Sequence, residues 1–197
     1  MINQIPDSSM NYKEYRDLID RLREENKTTG LDHSESMLTY TDLNIARMNK
    51  WDKRFEMDAD VKNMLRSWER KEIWLVLTEG WCGDAAHAVP VIASMAAASD
   101  NIELHLLLRD QNLQIMDQYL TNGGRSIPKL IRLDADTMEE LSTWGPRPQE
   151  VQDLFLKMKE AGAEKPEINK ELQLWYARNR GKAIEKELAQ MLAYQLP

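Results

Sequence analysis

The chain has 197 residues and one cysteine, Cys82, set in Trp81-Cys82-Gly83-Asp84-Ala85. A single thiol excludes an intramolecular disulfide and a multi-cysteine zinc site, so any redox chemistry must use one sulfur. A short apolar run ends before Cys82 and an alanine-rich segment begins after it, which places the thiol between a strand and a helix. At a helix N-terminus, unpaired N–H groups and the positive end of the dipole favour thiolate, the nucleophilic form, by up to about 2 kcal/mol. Asp84 opposes this: at roughly 6–7 Å and an effective dielectric of about 20 its repulsion is about 2.5 kcal/mol. The two effects are comparable and opposite, so the residues alone leave the activation of Cys82 open. Asp84 is then either a partner in proton transfer or a first-turn acid that satisfies the helix dipole. His87, about 140° around the same helix, is poorly placed as the base. His33 and His105 share no ligand spacing with it or with Cys82, so neither a metal site nor a cofactor is implied.

The elements that must position this thiol follow from periodicity and punctuation. Asn11 and Glu14 form a capping box, opening a helix with apolar positions Tyr15, Leu18, Ile19 and Leu22. Residues 26–34, with Gly30, read as a loop. A second helical stripe runs through Ile45, Met48, Trp51 and Phe55, and a third through Val61, Met64, Leu65 and Trp68 after acids at Asp58 and Asp60. The texture then changes to continuous apolar runs, Ile73 to Leu77 and Leu104 to Leu108, which suit buried strands. Residues 83–98 between them predict a buried helix, hence a parallel βαβ unit with a right-handed crossover. A helix is expected over Asp110 to Leu120, ended by Asn122-Gly123-Gly124. Lys129 to Leu133 and Glu139 to Thr143 predict an antiparallel hairpin. A helix with Pro148 in its first turn should reach about Lys159, and a last helix should run from Glu167 to Leu196 with Gly181 weakening its middle.

These residues carry a resemblance to the thioredoxin family. Trp81-Cys82-Gly83-Asp84-Ala85 resembles the family's Trp-Cys-Gly-Pro-Cys active site, and Pro90 matches the proline that kinks its active-site helix. Gly123 to Leu130 resembles the loop carrying the family's cis-proline, here Pro128 after Ile127, and Trp144-Gly145-Pro146 sits where a glycine loop borders the substrate groove. The resemblance covers about residues 73–160 and implies an α/β, thioredoxin-like fold: a mixed central sheet flanked by helices, with extra N-terminal and C-terminal helices. The expected division is a helical extension over 1–70, a core over 71–160 and a second extension over 161–197. It implies Cys82 as nucleophile, Ile127 and Pro128 as the groove wall, and Trp81, Trp144 and Gly145 as its rim. The family's second cysteine corresponds to Ala85, and Trp74 to Leu77 offers no carboxylate to deprotonate such a thiol, so dithiol turnover is excluded.

Composition narrows the partners. With 26 basic against 33 acidic residues and a net charge of -7, non-specific binding to nucleic acid is disfavoured. No apolar run approaches the ~18 residues of a membrane span, and the N-terminus lacks a signal-peptide core, so a cytoplasmic protein is expected. Two readings remain. In one, Cys82 forms reversible mixed disulfides with a protein or small thiol and an external thiol resolves them. In the other, the chain is a non-catalytic binding module that keeps the groove and contacts a partner through its added helices. Arg125 and Arg147 either flank the groove, where a guanidinium suits a carboxylate, or are solvated. An exposed edge strand would be covered by the added helices or used for homo-oligomer formation.

Overall fold

The computed structural model describes residues 2–194. Three helices come first: α1 (Tyr12–Glu24), α2 (Glu35–Arg54) and α3 (Ala59–Arg66). The capping box at α1 is formed as expected, with Glu14 N–H donating to Asn11 Oδ1 at 3.0 Å and Asn11 N–H to Glu14 Oε2 at 2.8 Å. Asp58 caps α3 through its carboxylate, which accepts from Asp60 N–H at 2.9 Å.

The sheet has the order β2-β1-β3-β4, with β1 (Glu72–Thr78), β2 (Ile102–Leu108), β3 (Lys129–Asp134) and β4 (Glu140–Trp144). β1 pairs with β2 in parallel, and the β1–β3 and β3–β4 pairs are antiparallel. This mixed sheet arises because α4 (Gly83–Ala96) provides the long crossover between β1 and β2, whereas a tight turn joins β3 to β4. β1 is buried along its whole length. Trp74 and Val76 face one core, which holds α4 residues Val89 and Ile92 and residues from α1, α2, α7 and α8. Ile73, Leu75 and Leu77 face the other, with Ile115, Met116, Ile127 and Ile131. Such burial on both faces is why the strand reads as an unbroken apolar run.

One ion pair crosses this sheet in its interior. Arg132 and Glu72 have side chains 1% and 0% exposed, with Nη2 of the arginine 2.7 Å from Oε1 of the glutamate. Trp74 Nε1 donates to the same carboxylate at 3.0 Å, and Arg132 also donates to Ser142 Oγ and to the Met191 carbonyl. Each partner thereby compensates a charge that would otherwise be buried alone.

Three expected elements differ. The segment after β2 is a short 3-10 turn, Arg109–Gln111, followed by a single helical turn α5 (Leu113–Met116), not a helix to Leu120. Asn112 interrupts it: its backbone leaves the helical region and its side-chain amide donates to the Leu108 carbonyl at 2.8 Å. Pro148 is the N-cap of α6 (Gln149–Glu160), one position before the first turn. The single C-terminal helix is two helices, α7 (Lys165–Asn179) and α8 (Lys182–Ala193), and the end of that expectation lies outside the described residues. Arg180 and Gly181, with φ of 57° and 79°, reverse the chain between them. At Gly181 a Cβ would approach Phe55 and Val91 at 3.1 Å, so packing as well as dihedral angle favours glycine.

α2 and α8 both pack on α4, α1 packs on α2, and α7 on α6. The helix that starts at Cys82 is therefore enclosed by elements from both ends of the chain.

Candidate functional site

The approach to Cys82 is fastened by residues from the N-terminal part of the chain. Thr29 donates its hydroxyl to the Glu79 carboxylate and accepts from Gly80 N–H at 2.9 Å. Asn44 of α2 donates to the Gly80 carbonyl at 2.9 Å, and Asp110 N–H donates to Glu79 Oε1 at 2.9 Å. Burial pushes the Glu79 carboxyl above its ordinary range although both bonds favour its charged form. Gly30 packs closely against Trp81: an added Cβ would sit 2.7 Å from the indole Nε1. The Arg109 guanidinium covers the Trp81 ring at 4.9 Å.

Cys82 is the N-cap of α4, a half-buried residue whose Sγ donates to the Ile127 carbonyl at 3.3 Å. The Ile127–Pro128 and Gly145–Pro146 peptides are both cis. Cys82 meets the Ile127–Pro128 loop through its sulfur, and Gly145 packs on the Pro128 carbonyl, although none of these three loop residues lines the cavity at Cys82. Burial pushes the Cys82 thiol up to about 12, Asp84 adds to the rise, and the Ala85 and Asp84 N–H groups and Arg147 oppose it. Desolvation, which the spacing of residues does not reveal, outweighs the helix terminus.

Asp84 is not a free carboxylate. Arg147 Nε donates to its Oδ2 at 2.8 Å and the Tyr176 hydroxyl donates to its Oδ1 at 3.0 Å. Burial raises the Asp84 carboxyl above its usual value, with Arg147 the largest opposing influence. Both oxygens are engaged, so the carboxylate is held in a fixed position in the first turn of α4.

A cavity of about 290 Å³ lies over the motif, with Trp81 and Cys82 in its floor, Tyr40 and Arg47 of α2 on one side and Leu172 and Gln173 of α7 on the other. Its size suits a small molecule or a side chain better than a folded surface. A larger cavity, about 800 Å³, lies between α1, α2, α4 and β2 around Met10, Trp51, Phe55 and Leu104; Pro90 lines it, but none of residues 81–85 does.

The remaining candidates lie elsewhere. Trp144 is buried at the end of β4 and its indole donates to Glu187 of α8 at 2.7 Å, so it faces the C-terminal helix and does not line the cavity over Cys82. Arg125 pairs with Asp117 at 2.6 Å on the surface, whereas Arg147 belongs to the site. His87 accepts from Trp51 Nε1 at 2.9 Å, bonds Gln173 Oε1 at 2.6 Å and stacks on Tyr176. His33 accepts from Thr28 N–H, and His105 bonds Ser9 and Glu103. Among the described residues no three His, Cys, Asp or Glu side chains cluster as metal ligands, and no helix is long and apolar enough to cross a membrane.

Glu79, Arg47, Gln173 and Tyr176 were not legible as site residues. Glu79 had one usable signal, an acid two residues after the apolar run Ile73 to Leu77. Tyr176 reaches Asp84 across 92 positions and leaves no local pattern.

Comparison with solved structures gives likeness of fold. A protein of unknown function from Pseudomonas aeruginosa is 16% identical, with a TM-score of 0.58, over 95% of this chain and 99% of that one. An HIV epitope scaffold is 17% identical, with a TM-score of 0.57, over 95% and 100% of the two chains. No curated protein matches significantly. A family model described as thioredoxin matches residues 30–163, from the glycine against Trp81 to just past α6, so the match takes in α2 and α3 and stops before α7 and α8. With this match, the mixed sheet and its flanking helices, the chain belongs to the thioredoxin family.

Proposed function

We propose that this protein is a monothiol member of the thioredoxin family that exchanges disulfides through Cys82. The observation that carries the reading is the place of the sulfur: at the N-terminus of α4 and 3.3 Å from the Ile127 carbonyl beside Pro128. A disulfide R–S–S–R′ in the groove would be attacked by the Cys82 thiolate after its proton passes to solvent. The new bond is Cys82–S–S–R, and R′–S⁻ leaves and takes up a proton. Ala85 supplies no second thiol, so an external thiol R″–SH, as its thiolate, attacks the R sulfur. It gives R–S–S–R″ and restores Cys82. The net reaction exchanges partners without net oxidation, and a reducing compartment such as the cytoplasm would supply the thiol.

A second reading, a binding module that retains the groove, is favoured by the seat of the sulfur against the Ile127 carbonyl, where burial pushes the thiol up to about 12. Incubation of the folded protein with glutathione disulfide, followed by intact-mass measurement, separates the two. Exchange requires one glutathione adduct, absent in Cys82→Ser and removed by excess thiol. An adduct that forms only after denaturation would overturn exchange in favour of binding.

A further inference from the structure

Several groups act electrostatically on Cys82 or on the Asp84 carboxylate beside it: Asp84 on α4, Arg147 between β4 and α6, Arg47 on α2, Tyr176 on α7 and Tyr15 on α1. Lys165 of α7 lines the same cavity. Among these, Asp84 and Arg147 form a built pair. Arg147 Nε and Nη2 both reach Oδ2 of Asp84 at 2.8 Å. The side chains are 17% and 11% exposed, so water and salt screen the pair weakly. Arg147 is itself fixed, with its guanidinium 4.4 Å over the Phe155 ring and Nη1 donating to Gln152 at 3.2 Å. The Tyr176 hydroxyl holds the other oxygen of Asp84. An acid in the first turn of α4 would by itself set a negative charge beside the sulfur it accompanies, and the arginine supplies the balancing charge from a different part of the chain.

We propose that Arg147 is a positioning residue for Cys82 chemistry: it pins the Asp84 carboxylate and balances its charge, so that the segment following Gly145–Pro146 sets how readily the thiol ionises. Tyr176 assists from α7 by fixing the second oxygen, which ties the C-terminal helices to the same control. The inference rests on the reading of Cys82 as a working thiol, but it concerns ionisation and not exchange.

The test compares iodoacetamide alkylation of the full-length folded protein at pH 9, where the rate follows the thiolate fraction, in wild type, Arg147→Gln, Arg147→Lys, Asp84→Asn and the Asp84→Asn/Arg147→Gln double variant. Each tenfold in thiolate fraction is one pKa unit, and the expected results are a rate ~5-fold lower in Arg147→Gln and ~5-fold higher in Asp84→Asn. Arg147→Lys keeps the charge and should stay within ~2-fold of wild type, which separates charge balance from a general loss of packing. In the Asp84→Asn background, Arg147→Gln should lose most of its effect. An unchanged rate in Arg147→Gln, or an equal slowing with and without Asp84, would overturn the proposal. Because the chain has one cysteine, selective ¹³Cβ-cysteine labelling follows Cys82 alone and reads its ionisation in the same variants even where the reagent is excluded. If the variant order holds while no mixed disulfide forms with glutathione disulfide, the exchange reading fails and this inference stands; the reverse pattern removes only the inference.

Discussion

A Cβ placed on Gly145 would lie 2.2 Å from the carbonyl oxygen of Pro128, so the two loops that flank the thiol meet backbone to backbone. Gly145 also has a φ of 109°, a region that residues with a side chain rarely occupy. The Lys129 ammonium ties the contact from behind, donating to the Gly145 carbonyl at 3.1 Å and to Thr121 Oγ1 at 2.8 Å.

Gly145→Ala should therefore destabilise the protein by about 3 kcal/mol, through steric overlap and an unfavourable φ together. The urea unfolding midpoint measures it. A loss below about 1 kcal/mol would mean that the two loops can separate without cost to the fold.

The Glu72–Arg132 pair leads to a second expectation. Glu72→Gln leaves a guanidinium buried without its counter-charge and should cost about 3–5 kcal/mol, whereas replacing both partners with methionine should cost much less than twice that amount. A double-mutant cycle by denaturant unfolding provides the coupling. Additive losses would show that the two charges are solvated independently, contrary to their burial.

A third concerns acid. His87 accepts from the Trp51 indole N–H, which requires an unprotonated Nδ1, and burial with the nearby Arg47 and Lys50 lowers its pKa to about 4. In the unfolded chain the imidazole binds its proton near 6.5, so between pH 6.5 and 4 the unfolded state holds more protons and folding stability falls as pH falls. The loss approaches about 3 kcal/mol below that window. Glu79 and Asp84 act in the opposite sense, because their raised pKa values let the folded state bind protons more tightly than the unfolded state just above the ordinary carboxylate range. His87→Gln isolates the imidazole contribution. Its unfolding free energy should fall less between pH 7 and pH 4.5 than that of wild type; an identical change in both proteins would rule out the histidine as the cause.

What could be read without coordinates was what local chemistry encodes. The Asn11–Glu14 box, the run from Ile73 to Leu77 and the alanine-rich helix after Cys82 each arise from residues adjacent in sequence, and each is present in the fold. Asn112 and Gly181 misled because one residue can break a helical pattern when its side chain or φ satisfies a turn, and periodicity averages over such positions. The site shows the same division. Cys82 stands out by type and position and the Ile127–Pro128 loop by its resemblance to the thioredoxin family, whereas the enclosure by Arg47, Gln173 and Tyr176 depends on helices far apart in the chain. Trp144 is placed by a contact of the same long-range kind: its indole is held by Glu187, a residue that no motif connects to it.

The most direct test of Cys82 as a working thiol is the rate at which the folded protein reacts with an aromatic disulfide that releases a coloured thiolate, compared with the denatured chain at the same pH of 8. The raised thiol pKa lowers the thiolate fraction while raising its intrinsic nucleophilicity, so the folded protein should react to one equivalent, roughly a hundredfold more slowly than the denatured chain. No colour release until the protein unfolds would contradict the exchange chemistry and leave the groove as a binding surface.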